Sequence, residues 1–297
     1  MGSGCGEIEG AEIVSYQAEL VGVFGTPVAE NPTGVMQEAA FAALGLNWRY
    51  LTIEVGPDGL ADAVTGAKAM GFRGFNLTIP HKVAVIPLLD ALSREADLIG
   101  AVNTVRRDGD LWIGENTDGR GFLRALREDA QVDPRAKFAV LLGAGGAARA
   151  IATELVLAGL ERLLVVNRSE ARGRELVEDL VERTGAKVEF LLWPEPCLEV
   201  PADADLLVNA TSVGLYPNVE AMPSVNLRGA PAGLVVCDAV FNPAETMLLS
   251  HAKAFGLKTL DGLSMLVYQG VIGFEIWTGQ KAPEKVMKDA LSRELTC

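Results

Sequence analysis

The chain has 297 residues, of which 49% are hydrophobic and 22% charged, with a formal net charge of -13. The length suits two domains, and the composition is that of a globular protein, which excludes disorder as the main state. So acidic a balance argues against nucleic acid or an anionic membrane as a general partner, and no apolar run reaches the roughly 18 residues that a spanning helix needs.

The first basic residue is Arg49, so neither a secretory signal nor an Arg-rich transit peptide is expected. Met1 to Gly10 reads as a frayed, Gly/Glu-rich start. The four cysteines, Cys5, Cys197, Cys237 and Cys297, show no CxxC spacing and read as reduced thiols of a cytoplasmic protein. Only His81 and His251 could supply imidazole, so no metal is expected.

Leu20 to Phe24 predicts a strand. Asn31-Pro32-Thr33-Gly34 is a turn into a helix with Met36, Ala39, Ala40, Ala43 and Leu44 on one face and Gly45 at its end. Arg49 to Val55 reads as a strand, and Pro57-Asp58-Gly59 opens a helix to about Met70. Phe72 to Thr78 is a further strand, broken by Pro80, which removes a backbone donor. Strands alternating with helices in this way predict a parallel sheet with covering helices. His81 to Leu89 and Ser93 to Ile99 predict short helices, the second capped by Ser93. Val102 to Arg107 and Leu111 to Gly114 pair around the turn Asp108-Gly109.

Polar residues gather at the ends of these strands: Asn76, Thr78, Lys82, Asn103, Thr104 and Asp118. Open α/β sheets bind ligands beyond the carboxyl ends of their strands, and this mixture of amide, hydroxyl, ammonium and carboxylate suits a small polyhydroxylated substrate. Lys82 follows the proline break, and Asp118 stands at a turn marked by Gly119. Brought together, they form a proton-handling pair. Taken singly, they read as a solvated lysine and a helix-capping aspartate, with Asn76 and Asn103 as turn residues.

The second half opens on the apolar strand Phe138 to Leu142, the loop Gly143-Ala144-Gly145-Gly146-Ala147-Ala148 and a helix to about Leu157. Strand, glycine loop and helix in that order mark a dinucleotide site, where the helix N-terminus offers free N–H groups to a pyrophosphate. The next strand, Arg162 to Val166, ends in Asn167-Arg168-Ser169, with Arg172 one turn later. An NAD enzyme places an acid at this strand end, whereas two guanidinium groups suit the 2′-phosphate of NADP. Glu170 is the discordant charge. A helix from Glu175 to Glu182 and strands at Val188 to Leu192, Asp205 to Val208, Leu234 to Asp238 and Lys258 to Leu260 continue the pattern. The polar loop Asn209-Ala210-Thr211-Ser212-Val213-Gly214 lies at the cofactor edge. Helices from Ala244 to Phe255, Gly262 to Phe274 (carrying Gln269) and Pro283 to Leu295 follow, and the last two are expected to pack back on the first domain. The expected organisation is therefore an α/β protein of two domains. Residues 1–118 with 262–297 form a substrate domain on a mainly parallel sheet, residues 119–261 form a Rossmann-like NADP-binding domain, and a hinge lies between them.

From about Leu20 onward the sequence resembles the shikimate dehydrogenase family. Asn76-Leu77-Thr78-Ile79-Pro80-His81-Lys82 is similar to the family's N-V-T-I-P-H-K, and Asn167-Arg168-Ser169 with Arg172 to its N-R-T-x-x-R. Ala101 to Thr104, Asn116 to Gly119, Gly143 to Ala148, Asn209 to Gly214, Gly262 to Gln269 and Trp277-Thr278-Gly279 resemble further family blocks in order. The resemblance implies Lys82 and Asp118 as the catalytic pair, and Asn76, Thr78, Asn103, Asp118 and Gln269 around the substrate. It implies Gly143, Ala144, Gly145, Gly146, Ala147, Asn167, Arg168, Ser169, Arg172, Thr211, Ser212, Val213 and Gly262 around NADP, which carries hydride to or from a ring carbon.

The head-group segment departs from the family. Where the family has H-S-x-S-P, with two serines for the substrate carboxylate, this chain has Glu30-Asn31-Pro32-Thr33-Gly34. Asn31 and Thr33 take the serine positions, and Phe241 stands where tyrosine is usual. The implied activity is an NADP-dependent interconversion of 3-dehydroshikimate and shikimate or a close analogue, by a monomer or homodimer. A quinate/shikimate enzyme or a paralogue for another cyclic hydroxy acid is the alternative, and a non-catalytic NADP sensor is a third reading that the retained Lys82 and Asp118 disfavour.

Overall fold

The computed structural model describes residues 16–295. The expected frayed start at Met1 to Gly10, together with Cys5 and Cys297, lies outside the described residues. The chain builds two six-stranded sheets, each covered by helices.

The first sheet begins with β1 (Glu19–Gly25), α1 (Thr33–Ala43) and β2 (Trp48–Glu54). A single 3-10 turn at Pro57–Gly59 leads into α2 (Leu60–Ala69), followed by β3 (Gly74–Leu77). The predicted helix from His81 to Leu89 is in fact α3 (His81–Ala84) and a separate 3-10 turn at Ile86–Leu88 that contains Pro87. Then come β4 (Ala91–Leu92), α4 (Arg94–Ile99), β5 (Thr104–Asp108) and β6 (Leu111–Glu115). The Ser93 hydroxyl accepts from the Ala96 N–H at 3.1 Å, capping α4 as its residue type predicts.

The strand order is β2-β1-β3-β5-β6-β4. β1 pairs in parallel with β2 and β3, and β4 in parallel with β6, while β5 is antiparallel to both β3 and β6. The sheet is thus parallel at three pairings and antiparallel at two. The short β4 escaped the sequence reading because two residues carry no periodicity.

α5 (Asp118–Glu128) joins the two halves. Asp118 is therefore the first residue of a helix, where the sequence suggested a turn or a helix cap. Gly119 gave that turn signal, but the physical role of Gly119 and of Gly121 is close helix packing. A Cβ at Gly119 would lie 2.3 Å from the Ala150 carbonyl oxygen, and one at Gly121 2.8 Å from the Met265 carbonyl oxygen. Both lie far inside van der Waals contact, so only glycine lets the neighbouring helices approach.

The second sheet contains β7 (Phe138–Leu142), α6 (Gly146–Leu157), β8 (Arg162–Asn167), α7 (Glu170–Thr184) and β9 (Val188–Leu192). After β10 (Leu198–Glu199) come β11 (Leu206–Asn209), β12 (Val225–Asn226), β13 (Val235–Asp238), α8 (Met247–Ala254) and β14 (Lys258–Leu260). All its pairings are parallel, in the order β14-β13-β11-β7-β8-β9. This is the doubly wound Rossmann order, with the topological switch between β7 and β11. Strands buried on both faces read as continuous apolar runs, as Phe138–Leu142 does. β10 and β12 form a separate two-stranded ladder. α8 starts three residues later than its sequence suggests, where the Thr246 hydroxyl accepts from the Leu249 N–H at 3.3 Å.

The C-terminal helices α9 (Gly262–Thr278) and α10 (Glu284–Leu295) return to the first sheet. Val267, Val271 and Phe274 of α9, with Met287 and Leu291 of α10, share one core with Val21 and Val23 of β1 and Met36 and Phe41 of α1. Phe274 stacks on Phe41 with ring centroids 5.5 Å apart, and Trp277 donates its indole N–H to the Val105 carbonyl at 2.9 Å. Among the described residues, no helix is long and apolar enough to cross a membrane.

Candidate active site

The carboxyl ends of β1 and β3 face the switch point of the second sheet across a cavity of about 680 Å³. Asn31, Thr33, Asn76, Thr78, Lys82, Asn103, Asp118, Phe241 and Gln269 all line it. Ala147 and Gly262 line it from the cofactor side.

Lys82 and Asp118 meet at its centre. α3 begins directly after the proline turn and carries Lys82 in its only turn, while β6 runs through Asn116 and Thr117 into the start of α5. Lys82 Nζ donates to Asp118 Oδ2 at 2.7 Å, and Asn103 Nδ2 donates to Asp118 Oδ1 at 2.8 Å. Both side chains are partly open to the cavity, at 34% for Lys82 and 20% for Asp118. The ammonium is therefore held in place and still reachable.

The two asparagines behave differently from simple ligand contacts. Asn103 spends its amide on protein: Nδ2 also donates to Thr117 Oγ1 at 3.0 Å, and Oδ1 accepts from the Thr117 N–H at 2.7 Å. Its action is to fix Asp118. Asn76 donates to the Asn103 carbonyl at 3.1 Å and to Thr104 Oγ1 at 2.9 Å, and its Oδ1 accepts from Tyr50 at 2.7 Å. An amide oxygen has two lone pairs, so Asn76 keeps one acceptor site for a substrate hydroxyl. Tyr50 was not singled out in the sequence. It occupies an ordinary inward position of a strand, and burial pushes its hydroxyl well above the usual range. Gln269 lies on α9 and donates to the Leu266 carbonyl at 3.1 Å, which leaves its second N–H to the cavity. His81 is fully buried with Nε2 2.6 Å from the Val55 carbonyl. A carbonyl only accepts, so Nε2 carries the proton and the ring ties the proline turn to the residue after β2.

Asp238, at the end of β13, is a second residue without a sequence signal beyond strand termination. It accepts from Asn209 Nδ2 at 2.9 Å, the Val240 N–H at 2.9 Å and Thr246 Oγ1 at 2.7 Å. Burial pushes its carboxyl up to about 6 against these three donors. Asn209 Oδ1 in turn accepts from Thr211 Oγ1 at 2.7 Å, and Thr211 Oγ1 from the Val213 N–H at 3.1 Å. This chain of bonds shapes the loops after β11 and β13 at the mouth of the cavity. Ser212 and Val213 line a separate shallow depression with Gly214 and residues 217–221.

The residues at the ends of β7 and β8 fit a dinucleotide. Gly143 has φ +110°, and a Cβ there would lie 3.0 Å from the Ala210 carbonyl oxygen across the switch point. A Cβ at Gly145 or Gly146 would meet nothing within 4 Å, so the backbone borders open space, and α6 starts there without a side-chain cap. Its first N–H groups are left for an anion. Arg168 and Arg172 are exposed around the equally uncapped start of α7 at Ser169, and Asn167 Nδ2 braces that turn on the Ser169 carbonyl at 2.8 Å. Glu170 is engaged by Arg174 at 2.8 Å and does not offset the other two guanidinium groups. Among the described residues, no three metal-ligating side chains converge.

One ionisable group sits in the seam between α5 and α6. Glu154 is 6% exposed, its Oε1 has no partner among the described residues, and its Cγ would lie 2.7 Å from a Cβ at Gly119. Burial raises its carboxyl to about 7, with Arg120 opposing, Glu95 reinforcing and Arg127 opposing. The folded state then holds a proton that the unfolded chain releases near pH 4.3, so the contribution to stability is full below that pH and is lost as pH rises through about 7. Glu154→Gln keeps the neutral form. In urea titrations the variant gains about 1–3 kcal/mol over the parent between pH 5 and pH 8; equal differences at both pH values would mean that Glu154 folds in ionised.

Comparison with known proteins fits this geometry. Residues 23–105 match the shikimate dehydrogenase substrate binding domain, residues 127–216 the shikimate/quinate 5-dehydrogenase family and residues 262–291 the shikimate 5′-dehydrogenase C-terminal domain. The shikimate dehydrogenase (NADP(+)) of Methanopyrus kandleri is 46% identical over 95% of this chain and 98% of its own. The chain belongs to the shikimate dehydrogenase family. It is an NADP-dependent oxidoreductase of that family. Among solved structures, the 5-ketofructose reductase of a Gluconobacter strain is 46% identical with a TM-score of 0.90, covering 94% of this chain and 100% of that one. The Thermus thermophilus shikimate 5-dehydrogenase, solved with NADP(H) and shikimate, is 37% identical with a TM-score of 0.80, over 93% of this chain and 99% of that one.

Proposed function

We propose that the protein interconverts 3-dehydroshikimate and shikimate, or a close analogue, with NADP as hydride carrier and Lys82 and Asp118 as the proton-handling pair. The observation that carries this reading is the 2.7 Å contact between Lys82 Nζ and Asp118 Oδ2 in a cavity lined from both sheets. When bound, NADPH supplies the hydride that forms the new C–H bond at the carbonyl carbon. The electron pair of the broken C=O π bond moves to oxygen, and Lys82 gives that oxygen a proton, leaving a secondary alcohol. Solvent restores the proton to Lys82, and in oxidation the same amine accepts it. Asp118 holds the ammonium, Asn103 holds Asp118, and Asn76 and Gln269 offer an acceptor and a donor to substrate hydroxyls. Ammonium and carboxylate then act where charge develops, which is where a fixed group is most effective.

In this reading residues 1–118 with 262–297 bind substrate and residues 119–261 bind NADP, with α5 as the shared element. A second reading, a polyhydroxylated ketone outside the shikimate series, is favoured by the 46% identity to the 5-ketofructose reductase. The test is NADP⁺ reduction with shikimate and quinate side by side: turnover with kcat/KM higher for shikimate supports the first reading. Tight NADPH binding with no turnover of either acid would move the substrate to the second reading.

A further inference from the structure

The cavity is chemically uneven. Among the described residues, Lys82 is the one cation that lines it, and Asp118 already pairs with that ammonium. The remaining charge in its lining is Glu30, an exposed acid one residue before Asn31. A substrate carboxylate brought to this end therefore meets no uncommitted positive charge and one negative one.

The neutral groups here also suit a different ligand. Asn31 Oδ1 accepts from the Thr33 N–H at 3.0 Å, which commits the amide oxygen to the entry of α1 and leaves the amide nitrogen as a donor. Thr33 is largely buried at the first position of α1, with a hydroxyl that both donates and accepts. Phe241 faces the same space and has no polar atom on its ring. A carboxylate only accepts hydrogen bonds, so Glu30 has nothing to offer it. A hydroxyl donates to a carboxylate and accepts from an amide, so hydroxyls at this end can satisfy Glu30, Asn31 and Thr33 together.

Resting on the NADP-linked hydride transfer proposed above, and taking its second substrate reading over the first, we propose that the substrate is an uncharged polyhydroxylated ketone and that Glu30 is the specificity-determining residue. Glu30 accepts from substrate hydroxyls and excludes a carboxylate head group. The chemistry is unchanged: one hydride from NADPH and one proton from Lys82 convert ketone to secondary alcohol. A site that reads hydroxyls discriminates by leaving polar groups unpaired when the wrong ligand enters, which supports large ratios.

The experiment is NADPH oxidation by the parent and by Glu30→Gln with four ketones: 3-dehydroshikimate, its methyl ester, 5-ketofructose and 2-keto-myo-inositol. The ester differs from the acid chiefly by the charge. The expected result is that the parent reduces the ester at least tenfold more efficiently than the acid, and at least one of the two neutral polyols better still. Glu30→Gln lowers the KM for 3-dehydroshikimate about tenfold and raises that for the polyol ketone. A parent that prefers the acid to all three neutral ketones, or an acid-to-ester ratio unchanged in Glu30→Gln, would overturn the proposal. NADPH binding by fluorescence is measured alongside. If NADPH binds and no ketone is reduced, the oxidoreductase reading itself falls, and the substrate assignment with it.

Discussion

Lys82→Ala lowers kcat by about 10²–10⁴-fold, the usual range for losing a positioned general acid, while NADPH affinity stays within about twofold. The two effects separate because of where the lysine stands. Nζ is on the substrate side of the cavity, 2.7 Å from Asp118, whereas the glycine loop and the Arg168/Arg172 site are built on the second sheet. Removing the side chain also leaves Asp118 with one donor, Asn103, so the carboxylate remains oriented but faces the nascent alkoxide with no proton between them. Like charge at that point disfavours the transition state beyond the lost proton. Lys82→Arg is expected to recover little. A planar guanidinium cannot take the place of a compact ammonium in a single turn of helix, and it does not give up its proton. Single-turnover reduction and fluorescence titration of NADPH separate the two quantities. A kcat loss below tenfold would mean that solvent, not Lys82, supplies the proton.

The features that could be read from the sequence were those written in local chemistry. The proline break at Pro80, the glycine loop after Leu142 and the absence of an acid after Val166 each specify a backbone event within a few residues. Lys82 and Asp118, 36 residues apart, could be paired only through strand topology and family likeness, and the structure brings them into contact. What stayed hidden depended on long-range packing. Gly119 read as a turn because glycine is locally poor in a helix; its reason, and that of Gly121, lies in Ala150 and Met265, which only the fold brings near. Asn103 lines the cavity as its family likeness implies, but its bonds to Thr117 and Asp118 are not announced by its residue type. Tyr50 and Asp238 carry no motif, since a buried residue that orients another looks like any strand residue. The head-group departures at Glu30, Asn31, Thr33 and Phe241 were visible, and family likeness put them at one part of the pocket; that this cavity has no uncommitted cation in its lining was not visible.

Arg168→Ala with Arg172→Ala raises the KM for NADP⁺ about 10²-fold and leaves that for NAD⁺ within about threefold. Each guanidinium can make hydrogen bonds to a phosphate worth about 1.5–3 kcal/mol, which for two would give about 10²- to 10⁴-fold. Both side chains are exposed, however, so solvent and salt screening over a Debye length of about 8 Å reduce the sum. Both residues are replaced together because of where they stand. Arg168 follows the last residue of β8, and Arg172 stands in the first turn of α7, which begins without a side-chain cap, so two cations and free helix N–H groups are available to one anion at this strand end. Nearby ion pairs do not compete, since Glu170 is held by Arg174 and Asp179 by Arg149. The 2′-phosphate is the only group that distinguishes the two coenzymes, so a phosphate role must appear as a change in their ratio. It must also appear in salt dependence: the parent's KM for NADP⁺ climbs steeply with added NaCl, and the double variant's stays nearly flat. Equal weakening of NADP⁺ and NAD⁺ would instead assign the two arginines to the packing of the β8–α7 turn. That outcome would leave the coenzyme preference to the backbone of α7 alone, and the salt titration would then show the same slope in both proteins.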